Sequence, residues 1–294
     1  MKIFVKVCYG VLILSVLLII VGFLSGATID SVKSAITSKD NYISYDETIE
    51  EAFDTLTIHS DNKNIEIVMT DDLVYPRIKY RLKSDETLKT ELINNNLTIT
   101  ISVEFKFLIG FPISFPTIED QTVYIELPEI YRGSLIVNSK AGNVKLETTL
   151  ADAKVGSEFG NIIIKGSYHN LNIDSSAGNV EVSQASINSN LIVKSAVGNI
   201  NIENTSVSGN INASLSTGNI YINNTYSSEY KLFSSVGNIT VKLPLIINDY
   251  ALKLESNIGD VMLNNTLVTK SYQSGNGRLV EVKTSTGNIK VTTN

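Results

Sequence analysis

From Val7 to Ile29 the chain carries no charged side chain, and thirteen of the residues between Val7 and Leu24 are Val, Leu, Ile or Phe. About 20 apolar residues suffice to cross a bilayer as a helix, so 7–29 is predicted to be a transmembrane signal anchor. Lys2 and Lys6 precede the run and Asp30 follows it, which keeps residues 1–6 in the cytoplasm and sends the rest outside. A cleaved signal peptide is the alternative, with Ser25 and Ala27 before a cut after Ala27. The apolar run exceeds the roughly 7 to 15 residues of a removable signal, which favours the anchor. Residues 30–50 are polar and aperiodic, as in a linker that holds a folded part away from the membrane.

The outer half of the chain repeats. SKAGNVKLE, SEFGNIIIK, SSAGNVEVS, SAVGNINIE, LSTGNIYIN, SSVGNITVK, SNIGDVMLN and TSTGNIKVT share Gly-Asn or Gly-Asp followed by Ile or Val. The pairs are Gly142-Asn143, Gly160-Asn161, Gly178-Asn179, Gly198-Asn199, Gly218-Asn219, Gly237-Asn238, Gly259-Asp260 and Gly287-Asn288, separated by 18, 18, 20, 20, 19, 22 and 28 residues. A period near 20 is the mark of a repeat architecture.

Side chains on a strand change face at each step. Counting back from Gly142 by odd steps places Ala141, Ser139, Val137 and Leu135 inward, and forward even steps add Val144 and Leu146. The same register places Phe159 and Val197 inward. Ser or Thr recurs three residues before the glycine, with Leu215 the exception. Like positions falling on like positions predict an all-β, parallel β-helix-like solenoid of single-stranded coils over 131–294, with about 20 residues per coil. Glycine permits the sharp corner, and Asn or Asp can bond its own backbone there. The competing arrangement is a set of antiparallel hairpins with Gly-Asn loops.

Residues 51–130 read as an N-terminal β part. FDTLTIHSDNKNIEIV looks like a degenerate first repeat with Lys63-Asn64 at the Gly-Asn position. Within it, FKFLIGFPISFP (105–116) carries Phe105, Phe107, Phe111 and Phe115. Buried, this loop caps the first coil; exposed, it is an interaction surface for a partner or the membrane.

Composition narrows the chemistry. The lone cysteine, Cys8, excludes an intrachain disulfide framework, paired-cysteine zinc and a thiol redox pair. Without Lys2 and Lys6 the chain has 22 basic and 30 acidic residues, a net of -8, so no nucleic-acid partner is expected. His59 and His169 are 110 positions apart with no metal-ligand spacing, and read as surface or turn residues. The carboxylates Asp152, Glu158, Asp174, Glu181 and Glu203 fall at varied offsets. No catalytic, metal or cofactor-binding residues are expected, and the chain is read as a non-enzyme. An envelope polysaccharide hydrolase or lyase is the alternative, since such sites need clustered carboxylates.

The Gly-Asn/Asp-Ile/Val repeats, the entry FDTLTI, the strand NNNLTITI and the transition LPEIYRGSLIVNSKAGNVKLE together resemble a family of bacterial surface proteins named as putative adhesins, of unknown function and related to head GIN domains. The resemblance spans Phe53 to Asn294. It implies an extracytoplasmic β-solenoid, often tethered by one membrane segment, with some relatives linked to envelope stress in Gram-positive bacteria. It implies no catalytic residues; only the Gly-Asn and Gly-Asp turns carry over, as structural positions.

The function expected is therefore a membrane-anchored binding, adhesion or scaffolding module at the cell envelope. Its partners would be the membrane, an envelope protein or a wall polymer. The chain ends two residues after KVT of the last repeat, so an open C-terminal coil is expected to favour self-association.

Overall fold

The computed structural model describes residues 42–103 and 121–294. The predicted span 7–29, the cytoplasmic start and the phenylalanine loop 105–116 lie outside the described residues. The described residues belong to one compact unit. Its strands all join one 24-stranded sheet that folds back on itself around a single apolar core.

Successive turns of the chain stack in parallel and in register. Leu135, Ala153, Leu171, Leu191 and Ile211 follow one another, as do Val144, Ile162, Val180, Ile200 and Ile220. All of these are buried, the second file completely. β-Branched residues dominate because they pack well on a pleated, covered face.

Each rung consists of a strand before its Gly-Asn corner and a strand after it, such as Leu191–Val197 and Ile200–Glu203. The ladder does not break at the corner: Gly142 N–H donates to Phe159 O and Val144 N–H to Asn161 O, both at 2.9 Å. The sheet therefore curls around the core, nearly closing like a barrel.

The expected fold class is corrected. In place of single-stranded coils most rungs carry paired strands within one wrapped sheet, although Val144–Phe159 and Ile162–Ala177 run unbroken between corners, and antiparallel strands complete the sheet at both ends. The N-terminal helix of that class falls outside the described residues, among which no helix is long and apolar enough to cross a membrane. The helix named among them is a three-residue 3-10 turn, Ile247–Asp249. Gly-Asn pairs do not form hairpin loops. The hairpins lie elsewhere, at Asn94-Asn95 and Asn264-Asn265, whose φ angles of 51°, 59°, 48° and 62° suit a tight primed turn.

The inward alternation also fails at the corner. Ala141, Phe159 and Val197 are exposed, Phe159 by 63% and Val197 by 54%. Here the chain begins to turn, so the two residues before each of these glycines both face solvent.

Chain order and stacking order part at both ends. Thr55–Ser60 lies between Asn96–Val103 and Ser134–Ala141. Arg278–Thr286, expected at the open end, lies between Glu229–Val236 and Tyr250–Ile258. The edge from which self-association was expected is thus occupied on both sides. Ser271–Ser274 and Thr266–Val268 pair antiparallel with the last rung. At the other end Glu86–Ile93 pairs antiparallel with Asn96–Val103, and Arg77–Leu82 with Thr122–Pro128. Ile43–Thr48, in the stretch expected to be a linker, is a strand paired with Arg77–Leu82.

Candidate functional site

The eight corner glycines have φ between +134° and +148°, a region that side chains with a Cβ avoid. Space forbids a Cβ as well. On Gly198 it would stand 2.0 Å from Gly178 O, and on Gly160 2.1 Å from Gly142 O.

Beside the glycines runs a file of amides. Asn64, Asn143, Asn161, Asn179, Asn199, Asn219, Asn238, Asn288 and Asp260 succeed one another in space. The backbone N–H of each donates to Oδ1 of the residue before it at 2.8–3.0 Å. The Asn and Asp that sequence reading assigned to local turn bonds therefore link rungs. A second file, Asp152, Asn170, Asn190 and Asn210, runs at another corner through side-chain and backbone bonds. It carries a glycine at one rung, Gly209 before Asn210, and escaped the motif search; the 18-to-20-residue spacing of its Asp and Asn members was the available signal.

The corner positions are structural, and the faces between them carry the chemistry. One file of outward side chains reads, in stacking order, His59, Asn138, Gly156, Asp174, Lys194, Ser214 and Phe233. Along it lies a trough of about 700 Å³, lined among others by His59, Asp61, Asn138, Lys140, Lys154, Gly156, Glu158 and Asp174. Past Asp174 and Ser176 it continues as a shallower section of about 280 Å³ along Lys194 and Ser214 to Phe233. His59 Nδ1 lies 3.5 Å from Asn138 Nδ2.

The charges in the trough balance: Asp61, Glu158 and Asp174 oppose Lys140, Lys154 and Lys194. Lys140 Nζ pairs with Asp61 at 2.8 Å, and that hydrogen bond holds its ammonium above the usual lysine range.

Gly156 differs from the corner glycines. Its φ is not positive, and an added Cβ would first meet Asn138 Oδ1 at 3.4 Å. Neither backbone nor packing demands glycine here. A strand-interior glycine is a weak choice for the sheet and leaves a gap in a row of side chains.

Buried hydroxyls mark the same part of the stack. Ser60, Ser139, Ser234, Thr284 and Ser256 each donate to a corner carbonyl, at 2.8–3.4 Å. Ser157, Ser175 and Ser195 are equally buried yet have no partner, and these three line the trough.

Of the residues named from sequence, Glu158, Asp174 and His59 meet at this trough, while Glu181 and Glu203 line a separate groove of about 480 Å³ with Tyr221. His169 is exposed at neither. Among the described residues no group of three or more His, Cys, Asp or Glu could hold a metal. Gly156 and Phe233 went unnoticed in the sequence. The signal for Gly156 was a glycine outside the Gly-Asn register.

The geometry can be set beside known proteins. No curated protein matches the sequence. A structure of a "putative adhesin" from Parabacteroides distasonis is 9% identical, with a TM-score of 0.53, covering 86% of this chain and 98% of that one. It has a similar fold. A "putative lipid binding protein" from the same species is 14% identical, with a TM-score of 0.49 and coverage of 87% and 98%. A "putative cell adhesion protein" from Clostridium sporogenes is 17% identical, with a TM-score of 0.29 and coverage of 86% and 100%. The family model Toastrack DUF4097 matches residues 53–292. With most of its length under that match, the chain belongs to the Toastrack DUF4097 family.

Proposed function

We propose that this protein is a non-enzymatic binding and scaffolding module displayed on the outer side of a bacterial cell membrane. The observation that carries the reading is the pair of ordered polar faces. Backbone donors and acceptors are consumed between rungs, so each face offers side chains repeated about every 4.8 Å, the long trough among them. Such an array suits contact with an extended partner. The uncharged run Val7 to Ile29 behind Lys2 and Lys6 supports a single anchor with the folded part outside. An envelope protein or wall polymer is the partner this placement favours, and a role in envelope stress and the kinship with head GIN domains belong to the same reading.

The test has two arms. Protease applied to intact cells making the full chain should remove the folded part. The purified full chain should sediment with isolated envelope fragments without releasing reducing ends from them. Protection from the protease, failure to sediment, or steady release of reducing ends would each overturn the reading, the last in favour of a polysaccharide hydrolase or lyase.

A further inference from the structure

We propose that the trough along His59, Asn138, Gly156, Asp174, Lys194 and Phe233 binds one extended, uncharged glycan chain laid across the strands. The proposal rests on the reading of the protein as an envelope binding module and names the ligand class of that module.

Four observations lead there. The trough crosses six rung intervals between His59 and Phe233, about 29 Å at about 4.8 Å each. That step is close to the advance of one hexose in an extended β-linked chain, so successive rings would fall on successive rungs. The lining charges cancel, which gives a polyanion no net attraction.

Next, the floor is the face of a sheet whose backbone groups are already paired between rungs. A peptide cannot add there as a further strand, the usual route of main-chain recognition. What remains is a mixture of amide, imidazole, carboxylate, ammonium and hydroxyl groups, which suits a ligand whose hydroxyls both donate and accept.

Third, Gly156 opens a notch that neither its backbone angle nor its packing requires. A ring seated there would lie against the strand backbone, between Asn138 and Asp174. Fourth, Phe233 stands at the end of the trough, before Lys283 and Glu255 continue the file, with 41% of its surface exposed, an apolar platform for the C–H face of a sugar ring. The unpartnered hydroxyls of Ser157, Ser175 and Ser195 fall on the same rungs.

The experiment is calorimetric titration of the full-length chain with cellohexaose, chitohexaose, poly(glycerol phosphate) and an N-acetylated hexapeptide. At least one glycan hexamer should bind, more tightly than its trimer. Gly156→Val, which fills the notch with a residue suited to a strand, and Phe233→Ala should each weaken binding by about tenfold or more. The melting temperature of Gly156→Val should not fall. Binding of neither hexamer, binding of the polyanion or peptide alone, or an unchanged affinity in Gly156→Val would overturn the proposal. Sedimentation with envelope fragments is measured in parallel. A chain that sediments but binds no hexamer removes the glycan trough alone, and one that does neither removes the module reading too.

Discussion

The backbone N–H of Asp260 donates to Oδ1 of Asn288, 28 residues later in the chain, at 2.8 Å. Asn288 N–H in turn reaches Asn238 Oδ1 at 2.8 Å. The last repeat in sequence is thus the penultimate rung in space, held on both sides. The same inversion occurs at the other end, where Asn143 N–H bonds Asn64 Oδ1 across 79 residues at 2.8 Å. An exposed parallel edge invites pairing with another chain. Here each end of the stack is finished by antiparallel strands, with the first and last repeats tucked beneath.

Glycine substitutions should divide sharply. Gly198→Ala meets Gly178 O at 2.0 Å with φ at +134°, so a loss of at least about 2–3 kcal/mol is expected in chemical denaturation. Gly156→Ala has neither obstacle and should be neutral or stabilising by up to about 1 kcal/mol. Equal losses at both sites would contradict the distinction between corner and notch.

Lys63 replaces the corner glycine of its rung, and its ammonium is buried with the Glu86 carboxylate at 2.7 Å. Glu86 also accepts from Lys83 N–H at 2.9 Å and from Asn62 at 3.2 Å, while Lys63 donates to Arg81 O at 3.1 Å. Removing one charge strands the other in a dry site. Lys63→Ala is expected to cost about 3–5 kcal/mol, and the double replacement Lys63→Met with Glu86→Leu much less. A double-mutant cycle read by urea unfolding checks this, and additive losses would refute the coupling.

Acid should weaken the N-terminal end in a defined direction. Burial tends to raise the Glu126 carboxyl, but hydrogen bonds from Lys79 and Arg77 outweigh it and leave the group below the usual carboxylate range. A lowered folded value contributes stability above the unfolded value, near pH 4.3, and that contribution is lost as pH falls through the folded value. Wild type should therefore exceed Glu126→Gln in stability at pH 7, and the gap should close on acidification below about pH 4. A gap that widens as pH falls would reverse the sign.

How much of this was legible from sequence depends on the distance over which a signal acts. The corners were, because Gly-Asn recurs at a near-constant period and only glycine fits the angle. Lys63-Asn64 was recognised as a corner without glycine, and the asparagine file confirms its place. Simple alternation put Phe159 and Val197 inside, since it takes no account of a strand bending just before its corner. The spacings of 22 and 28 around Gly259 showed only that the chain does something extra there. Which rung then neighbours which is decided by long-range pairing that no local pattern encodes. The trough was hidden for a similar reason: its neighbours His59, Asn138, Gly156 and Asp174 come from four rungs adjacent in the stack, the first of them 79 residues from the second along the chain.

The inverted order of the last rungs underlies both the closed end and the account of the stack, and it can be read by disulfide mapping in a Cys8→Ser background. Val236 pairs with Thr286, and Thr286 with Ile258, all three exposed. Adjacent rungs stand about 4.8 Å apart, within the span of a disulfide, whereas two rungs at about 9.6 Å exceed its limit of roughly 7 Å. Mild oxidation should crosslink Val236→Cys with Thr286→Cys, and Thr286→Cys with Ile258→Cys, but not Val236→Cys with Ile258→Cys. Efficient crosslinking of that third pair, with the first two unreactive, would contradict the account.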